Sequence, residues 1–233
     1  MKEIIGNPIF SIALTFLVYF IAQEIYSRYN FMLFNPILVS IVTIIIILKV
    51  TGIDFHTYNK GGRFISFFLG PAVIALGVPL YMRFKEIKKE GGLSVIISVI
   101  IGSIVGILSA ALTAKLLGAS KEVVASIAPK SVTTPIAMGI TEKIGGIPSL
   151  TAAIVVATGI LGAVIGPAFL KLIGVKSKVA FGLAMGSASH GIGTARAFQE
   201  GELEGAVSSL AIGLNGIATA IITPIIFYLI YKL

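Results

Sequence analysis

The stretch LSVIISVIIGSIVGILSAALTAKLL, Leu93 to Leu117, carries a single charge, Lys115, close to its end. A helix needs about 20 consecutive apolar residues to cross a bilayer core, so this run reads as a membrane-spanning helix and decides the fold class. Runs of the same kind lie on both sides. Ile4 to Gln23 is the first. Asn35 to Val50 is the second and opens on an Asn-Pro pair that suits a helix start. Phe64 to Met82 is the third; its Gly70-Pro71 and Gly77/Pro79 are expected to kink it, because proline removes a donor and clashes with the preceding turn. Ser149 to Ile173 and Ala206 to Tyr231 follow the central run. A polar loop with Asp54, His56, Lys60 and Arg63 is expected between the second and third runs. RFKEIKKEGG, Arg83 to Gly92, reads as a solvated loop between the third and fourth. The start of the chain has Lys2 and then an apolar run with no small-residue cleavage site, which reads as a retained first helix rather than a signal peptide.

Composition agrees. Of 233 residues, 56% are apolar and 12% charged, where an ordinary soluble domain is about 25% charged. Mean hydropathy is +1.02. A disordered chain is excluded, and a water-facing enzyme lacks the polar surface it would need. The expected architecture is an all-α polytopic membrane protein with about six full crossings and two broken or re-entrant segments. There is no cysteine, which excludes disulfides, thiolate metal sites and haem attachment; no cofactor and no metal are expected. Without tryptophan, the interfacial aromatic belt must come from Tyr and Phe. The net charge of +8 lies in short loops, where it meets anionic headgroups rather than nucleic acid. Lys and Arg divide almost evenly between the two sides and assign no orientation.

Two segments depart from the clean pattern. KEVVASIAPKSVTTPIAMGIT, Lys121 to Thr141, has Pro129 and Pro135 bracketing Lys130, Ser131, Thr133 and Thr134, and reads as two short half-helices around an unwound middle. Lys178 to Gln199 repeats the character, ending in SASHGIGTAR, Ser187 to Arg196. A shift of 56 residues lays Lys115-Leu116-Leu117-Gly118 on Lys171-Leu172-Ile173-Gly174, Gly106 on Gly162, Val123 on Val179 and Ser131 on Ser187. Each copy is one clean helix followed by one broken segment. If each broken segment returns to its own side, the copies are inverted and their tips approach the midplane from opposite faces, as in secondary transporters. If each crosses, the copies are parallel. In the long run, Gly102, Gly106 and Ala110 recur every four positions and offer a face for close helix packing.

Polar groups at membrane depth are costly and so point to function. In the first broken segment Lys130 offers a cation to an anionic substrate, and Ser131, Thr133 and Thr134 offer hydroxyls. A half-helix beginning near Pro135 would aim its positive end at the same place. In the second, Ser187, Ser189 and Thr194 are donors, Gly193 frees the backbone, His190 titrates near neutrality and could relay a proton, and Arg196 can grip a carboxylate in bidentate fashion. Asn215 in the last run either lines the same cavity or bonds across helices. Each has a plain alternative: Lys130 snorkels to the interface, Arg196 caps a helix or meets a headgroup, and the hydroxyls satisfy broken backbone. No acidic residue lies deep in a run; Asp54, Glu86, Glu90, Glu142, Glu200, Glu202 and Glu204 fall in loop-like or boundary stretches. This cation-rich interior fits a small anionic solute.

FLGPAVIALGVPLY (Phe68 to Tyr81), APKSVTTPIAMGI (Ala128 to Ile140), IGGIPSLTA (Ile144 to Ala152), TGILGAVIGP (Thr158 to Pro167) and ASHGIGTARA (Ala188 to Ala197) resemble the LrgB/CidB family over nearly the whole chain. Bacterial members of that family were named as regulators of murein hydrolase export and autolysis, acting with a small holin-like companion, LrgA/CidA. The plant relative is a plastid glycolate/glycerate translocator. The resemblance implies a carrier for small 2-hydroxy or 2-oxo monocarboxylates, coupled to protons, with a companion membrane protein; the alternative is a regulator that moves no solute. Residues 1–92 are then expected to form three scaffold-like spans. Residues 93–233 would form a transport core of two units, 93–148 and 149–205, and a last helix, 206–233. The expected setting is the plasma membrane, as a multi-pass protein that could self-associate. No catalytic constellation is present: an acidic orienter is missing beside Ser187 and His190.

Overall fold

The computed structural model describes residues 7–29, 34–68 and 92–232, with isolated positions between 69 and 91. The described residues form nine α-helices and no strand: α1 Pro8–Tyr29, α2 Pro36–Thr51, α3 Phe55–Phe67, α4 Gly92–Leu116, α5 Lys121–Ile127, α6 Thr134–Lys143, α7 Pro148–Leu172, α8 Lys178–Glu200 and α9 Glu202–Lys232. Helices α1, α4, α7 and α9 are long and apolar enough to cross a membrane. The 16-residue α2 reaches about 24 Å at 1.5 Å per residue, short of a ~30 Å hydrocarbon core. Ile97, Ile101 and Val105 of α4 and Ile217, Ile221 and Ile225 of α9 point outward, as lipid-facing stripes do. The protein is a polytopic α-helical membrane protein. Most of the third expected span, with its proline kinks, and the charged segment after it lie outside the described residues.

The chain divides into two compact units, residues 1–75 and 76–233. In the first, Asn35 caps α2 by accepting from the amides of Ile37 and Leu38, and Gly52 ends it in the left-handed region at φ 67°. The expected polar loop at Asp54 to Arg63 is instead helix α3. The Asp54 carboxylate accepts from His56 N at 2.8 Å and Thr57 N at 3.3 Å, which satisfies orphan amides of the first turn and starts a helix where charge suggested coil. Thr15 and Tyr58 share a 2.7 Å hydrogen bond between α1 and α3.

In the second unit the repeat is written in the helix bounds. Moving Gly92–Leu116 on by 56 residues gives Pro148–Leu172, the bounds of α7. Both helices stop before a left-handed glycine, Gly118 at φ 80° and Gly174 at φ 79°. The register along α9 gives the direction of each element. Val95 packs with Val207, Ser103 bonds Asn215, and Lys115 Nζ donates to Ile230 O, so α4 and α9 run the same way. The first broken segment leaves from Lys121, beside Phe227 and Tyr231. It reaches Ser131, at the level of Asn215, and returns to Ile144, which lines a pocket with Lys121, Phe227 and Tyr231. It is a re-entrant hairpin.

The second broken segment does the same from the other end. Lys178 lies 4.0 Å from Glu204 at the start of α9, Ser187 O meets Asn215, and Glu200 returns to Lys171 at the end of α7. The reversal falls on His190 (φ 43°, ψ −137°), inside α8. A Cβ on Gly193 would lie 2.8 Å from the Met185 carbonyl, so the second half-helix folds back on the first. The two copies are inverted, and the re-entrant alternative of the two left open by the pattern is the one adopted.

Close packing falls elsewhere than expected. Nothing lies within 4 Å of a Cβ built on Gly102, and only Ser131 Oγ, at 3.8 Å, near one on Gly106. The buried face of α4 is Val95, Val99, Ser103, Ile107, Ala110, Ala111 and Ala114, so Ala110 of the expected stripe does turn inward, with Ser103 bonded to α9. Tight contacts fall on α7 and α8, as well as at Gly61, Gly146 and Gly205. A Cβ on Gly159 would meet the His190 ring at 2.6 Å, one on Gly166 the Met185 sulfur at 2.8 Å, and one on Gly182 Val207 Cβ at 2.8 Å.

Candidate functional site

The two hairpin tips meet on one side chain. Asn215 stands near the middle of α9 and is 1% exposed. Its Nδ2 donates to Ser131 O at 3.2 Å and to Ser187 O at 2.9 Å. Its Oδ1 accepts from Ser103 Oγ at 2.5 Å and Thr219 Oγ1 at 3.3 Å. Both donors and both acceptor positions of the amide are spent. Ser131 and Ser187 are the residues that the 56-residue shift equates, so Asn215 lies on the pseudo-symmetry relation and ties one tip to the other. Unwound backbone at membrane depth needs such partners, because no water is there to replace them.

At the first tip Lys130 is half-buried, and its Nζ donates to Ser131 Oγ at 3.3 Å. Among the described residues no carboxylate pairs with it. Thr133 occupies the N-cap of α6 without a side-chain cap bond, and Thr134 and Pro135 open the helix. The positive end of α6 therefore sits at the tip beside the lysine.

At the second tip His190 is 6% exposed. Its Nε2 lies 2.9 Å from Val155 O. A carbonyl only accepts, so this bond requires the proton on Nε2. A positive φ on a non-glycine residue costs about 1–3 kcal/mol; the Val155 bond and the room left by Gly159 hold the ring in place. Ser189 is buried against α7 at Gly162, where any Cβ would collide with it. Thr194 donates to His190 O at 3.0 Å and shares a 2.6 Å bond with Ser208 of α9. Gly193 is the small residue that lets the two half-helices close.

Arg196 is not at the tip. It lies near the base of the second hairpin, where it pairs with Glu200 at 2.6 Å, and Lys171 takes the same carboxylate at 3.0 Å. Arg196 is thus engaged by a carboxylate of the chain itself. Burial raises the Glu200 carboxyl, but the Lys171 bond and the charges of Arg196 and Lys171 outweigh it and hold the group below the usual carboxylate range.

Pattern reading missed several polar positions. Ser103, Ser208 and Thr219 look like small residues in apolar helices, and their roles depend on facing Asn215 and Thr194. Glu204, placed at a boundary by sequence, is 7% exposed. A third network ties the base of the first hairpin: Thr151 Oγ1 donates to Ser126 O at 3.0 Å and bonds Thr141 at 2.9 Å, and Ile147 N donates to Ser126 Oγ at 2.7 Å.

These features define a class: a helical membrane protein with an inverted repeat whose two re-entrant hairpins meet at a polar junction. Residues 15–229 match the LrgB-like family, and the chain belongs to it. It is 34% identical over 226 residues to the holin-like protein CidB of Staphylococcus epidermidis, covering 97% of this chain and 98% of that protein. It is 36% identical over 219 residues to the antiholin-like protein LrgB of Bacillus mycoides, covering 94% and 95%. It is 37% identical over 216 residues to the uncharacterized protein YwbG of Bacillus subtilis, covering 93% and 96%. No solved structure matches the chain.

Proposed function

We propose that the hairpin junction binds a small monocarboxylate, of the glycolate, glycerate or pyruvate kind, and passes it across the cell membrane with proton coupling at His190. One observation carries this reading. Lys130, which pairs with no carboxylate among the described residues, and the N-terminus of α6, which has no side-chain cap bond, stand where two inverted hairpins meet. A half-helix end and a cation at mid-depth attract an anion, and opposed discontinuous helices are how secondary transporters build a substrate site. Ser131, Thr133 and Thr134 would read the substrate hydroxyl. Ser187, Ser189, Thr194 and Asn215 would hold the two tips in register, and Arg196 would brace the hairpin base.

In a second reading the chain regulates murein hydrolase export and autolysis in a holin/antiholin-like system, with a small LrgA/CidA-like companion and no solute movement of its own. The names of its relatives, holin-like and antiholin-like, favour this reading over the carrier. Neither reading requires a chemical step.

Uptake of labelled glycolate, glycerate and pyruvate into proteoliposomes separates them. The carrier reading expects saturable uptake, stimulated by an inward proton gradient and lost in Lys130→Ala while the protein still inserts. The companion protein, added in a second arm, would restore uptake if both halves are needed. Absence of uptake in both arms, with a lysis phenotype that tracks complex formation, would establish the regulator.

A further inference from the structure

At the end of the second unit where α4 and α9 finish, three ammonium groups gather round two tyrosines. Lys115 Nζ lies 5.1 Å and Lys121 Nζ 5.4 Å from the Tyr231 ring centroid, and Lys232 Nζ lies 4.7 Å from that of Tyr228. The last turn of α9 presents about half a negative charge, far less than three cations, and the acid beside them is Glu122, next to Lys121 and exposed. Tyr231, which lines a pocket of about 310 Å³ with Lys121 and Lys232, has a buried hydroxyl with no hydrogen-bond partner.

A second cavity lies nearby, and Lys115 belongs both to its lining and to the lysine–tyrosine cluster. A groove of about 510 Å³ runs between α4 and α9, walled by Leu108, Leu112, Ile226 and Leu229, with Lys115 at its mouth. An apolar groove that ends at Lys115, whose ammonium also faces the Tyr231 ring, suits one acyl chain with its headgroup beside the lysines. Basic pockets between spanning helices hold anionic headgroups.

We propose that this end of the bundle binds an anionic phospholipid. Its phosphate would sit among Lys115, Lys121 and Lys232, the Tyr231 hydroxyl would donate to a phosphate or ester oxygen, and an acyl chain would lie along the α4–α9 groove. This site stands apart from the hairpin junction and does not depend on what the junction does.

The test is native mass spectrometry of the full chain in detergent, titrated with phosphatidylglycerol and separately with phosphatidylcholine. Phosphatidylglycerol adducts should survive at about tenfold lower lipid than phosphatidylcholine adducts. The Lys121→Ala/Lys232→Ala pair should erase that preference, and Lys121→Arg/Lys232→Arg should keep it. Excess glycerol phosphate, which lacks the acyl chain, should not displace the bound lipid. Equal retention of the two lipids by the native chain overturns the proposal, and so does a preference that the alanine pair leaves intact. Displacement by glycerol phosphate would make the site a phosphate site without a lipid. A dimer that carries no lipid would give the groove to a second copy.

Discussion

The two hairpins share a template and differ in how they are held. The first is wired by hydroxyls at its base, through Ser126, Thr141 and Thr151, and its tip is an unwound stretch that carries a lysine. The second adds close approach to its one hydroxyl bond to α9, Thr194 to Ser208. Gly182 and Gly186 of α8 face Val207 and Ser208 of α9 with no room for a side chain, ion pairs close its base, and its tip is the single strained residue His190. The repeat shift makes the contrast concrete, because Ser126 corresponds to Gly182 and Thr151 to Val207. One copy bonds where the other packs.

The largest break is expected in the second hairpin. In Gly186→Val the new Cβ collides with Ser208 O and would lie 2.8 Å from Ala211 Cβ. Ordinary overpacking costs about 1–3 kcal/mol, and here the obstacle is backbone, so loss of the monodisperse peak in size-exclusion chromatography is expected. Asn215→Leu comes next. It removes the link between the hairpins and leaves two tip carbonyls unpaired at about 1–3 kcal/mol each, read as a fall in the melting midpoint in detergent. A midpoint close to that of the native chain would mean that the tips do not depend on each other.

Ser126→Ala strips Ile147 N of its partner and should cost about 1–3 kcal/mol. Ser126→Gly with Thr151→Val, which copies the second hairpin's pair onto the first, should cost more than Ser126→Ala in the same melt, because it leaves Ile147 N, the residue-126 carbonyl and Thr141 Oγ1 all without these partners. The smallest effect belongs to the ion pairs. Arg196→Gln should change stability by no more than about 1 kcal/mol, measured by the same melt. Because the folded Glu200 carboxyl is depressed, its contribution is present above the unfolded value and fades as pH falls through the folded one. A small acid-side loss that Arg196→Gln reduces is therefore expected in a pH series.

The long spans, the two breaks and the 56-residue shift were legible in the sequence, because hydropathy and proline spacing act through local geometry. Ser131, Ser187, Thr133 and Lys130 could be nominated from the same pattern. Burial partners could not. Arg196 and Glu200 are four apart on one helix turn, but only the fold-back of α8 brings Lys171 to the same carboxylate. The small-residue stripe of α4 has the right period, yet only Ala110 is buried and Gly106 half-buried, while Gly102 faces outward, since Ser103 and not Gly102 finds a partner across the interface. Asp54 looked like loop charge because capping is invisible until the chain turns.

The absence of native cysteine allows a direct test of opposed hairpins. Ser120, Glu142, Lys176 and Gln199 are all exposed, and each can be replaced singly by cysteine and treated with a membrane-impermeant maleimide on oriented membranes. Ser120→Cys and Glu142→Cys, at the two feet of the first hairpin, should label from one face. Lys176→Cys and Gln199→Cys, at the feet of the second, should label from the other. Labelling of Ser120→Cys and Glu142→Cys from opposite faces would contradict a re-entrant hairpin, and with it the inverted pair.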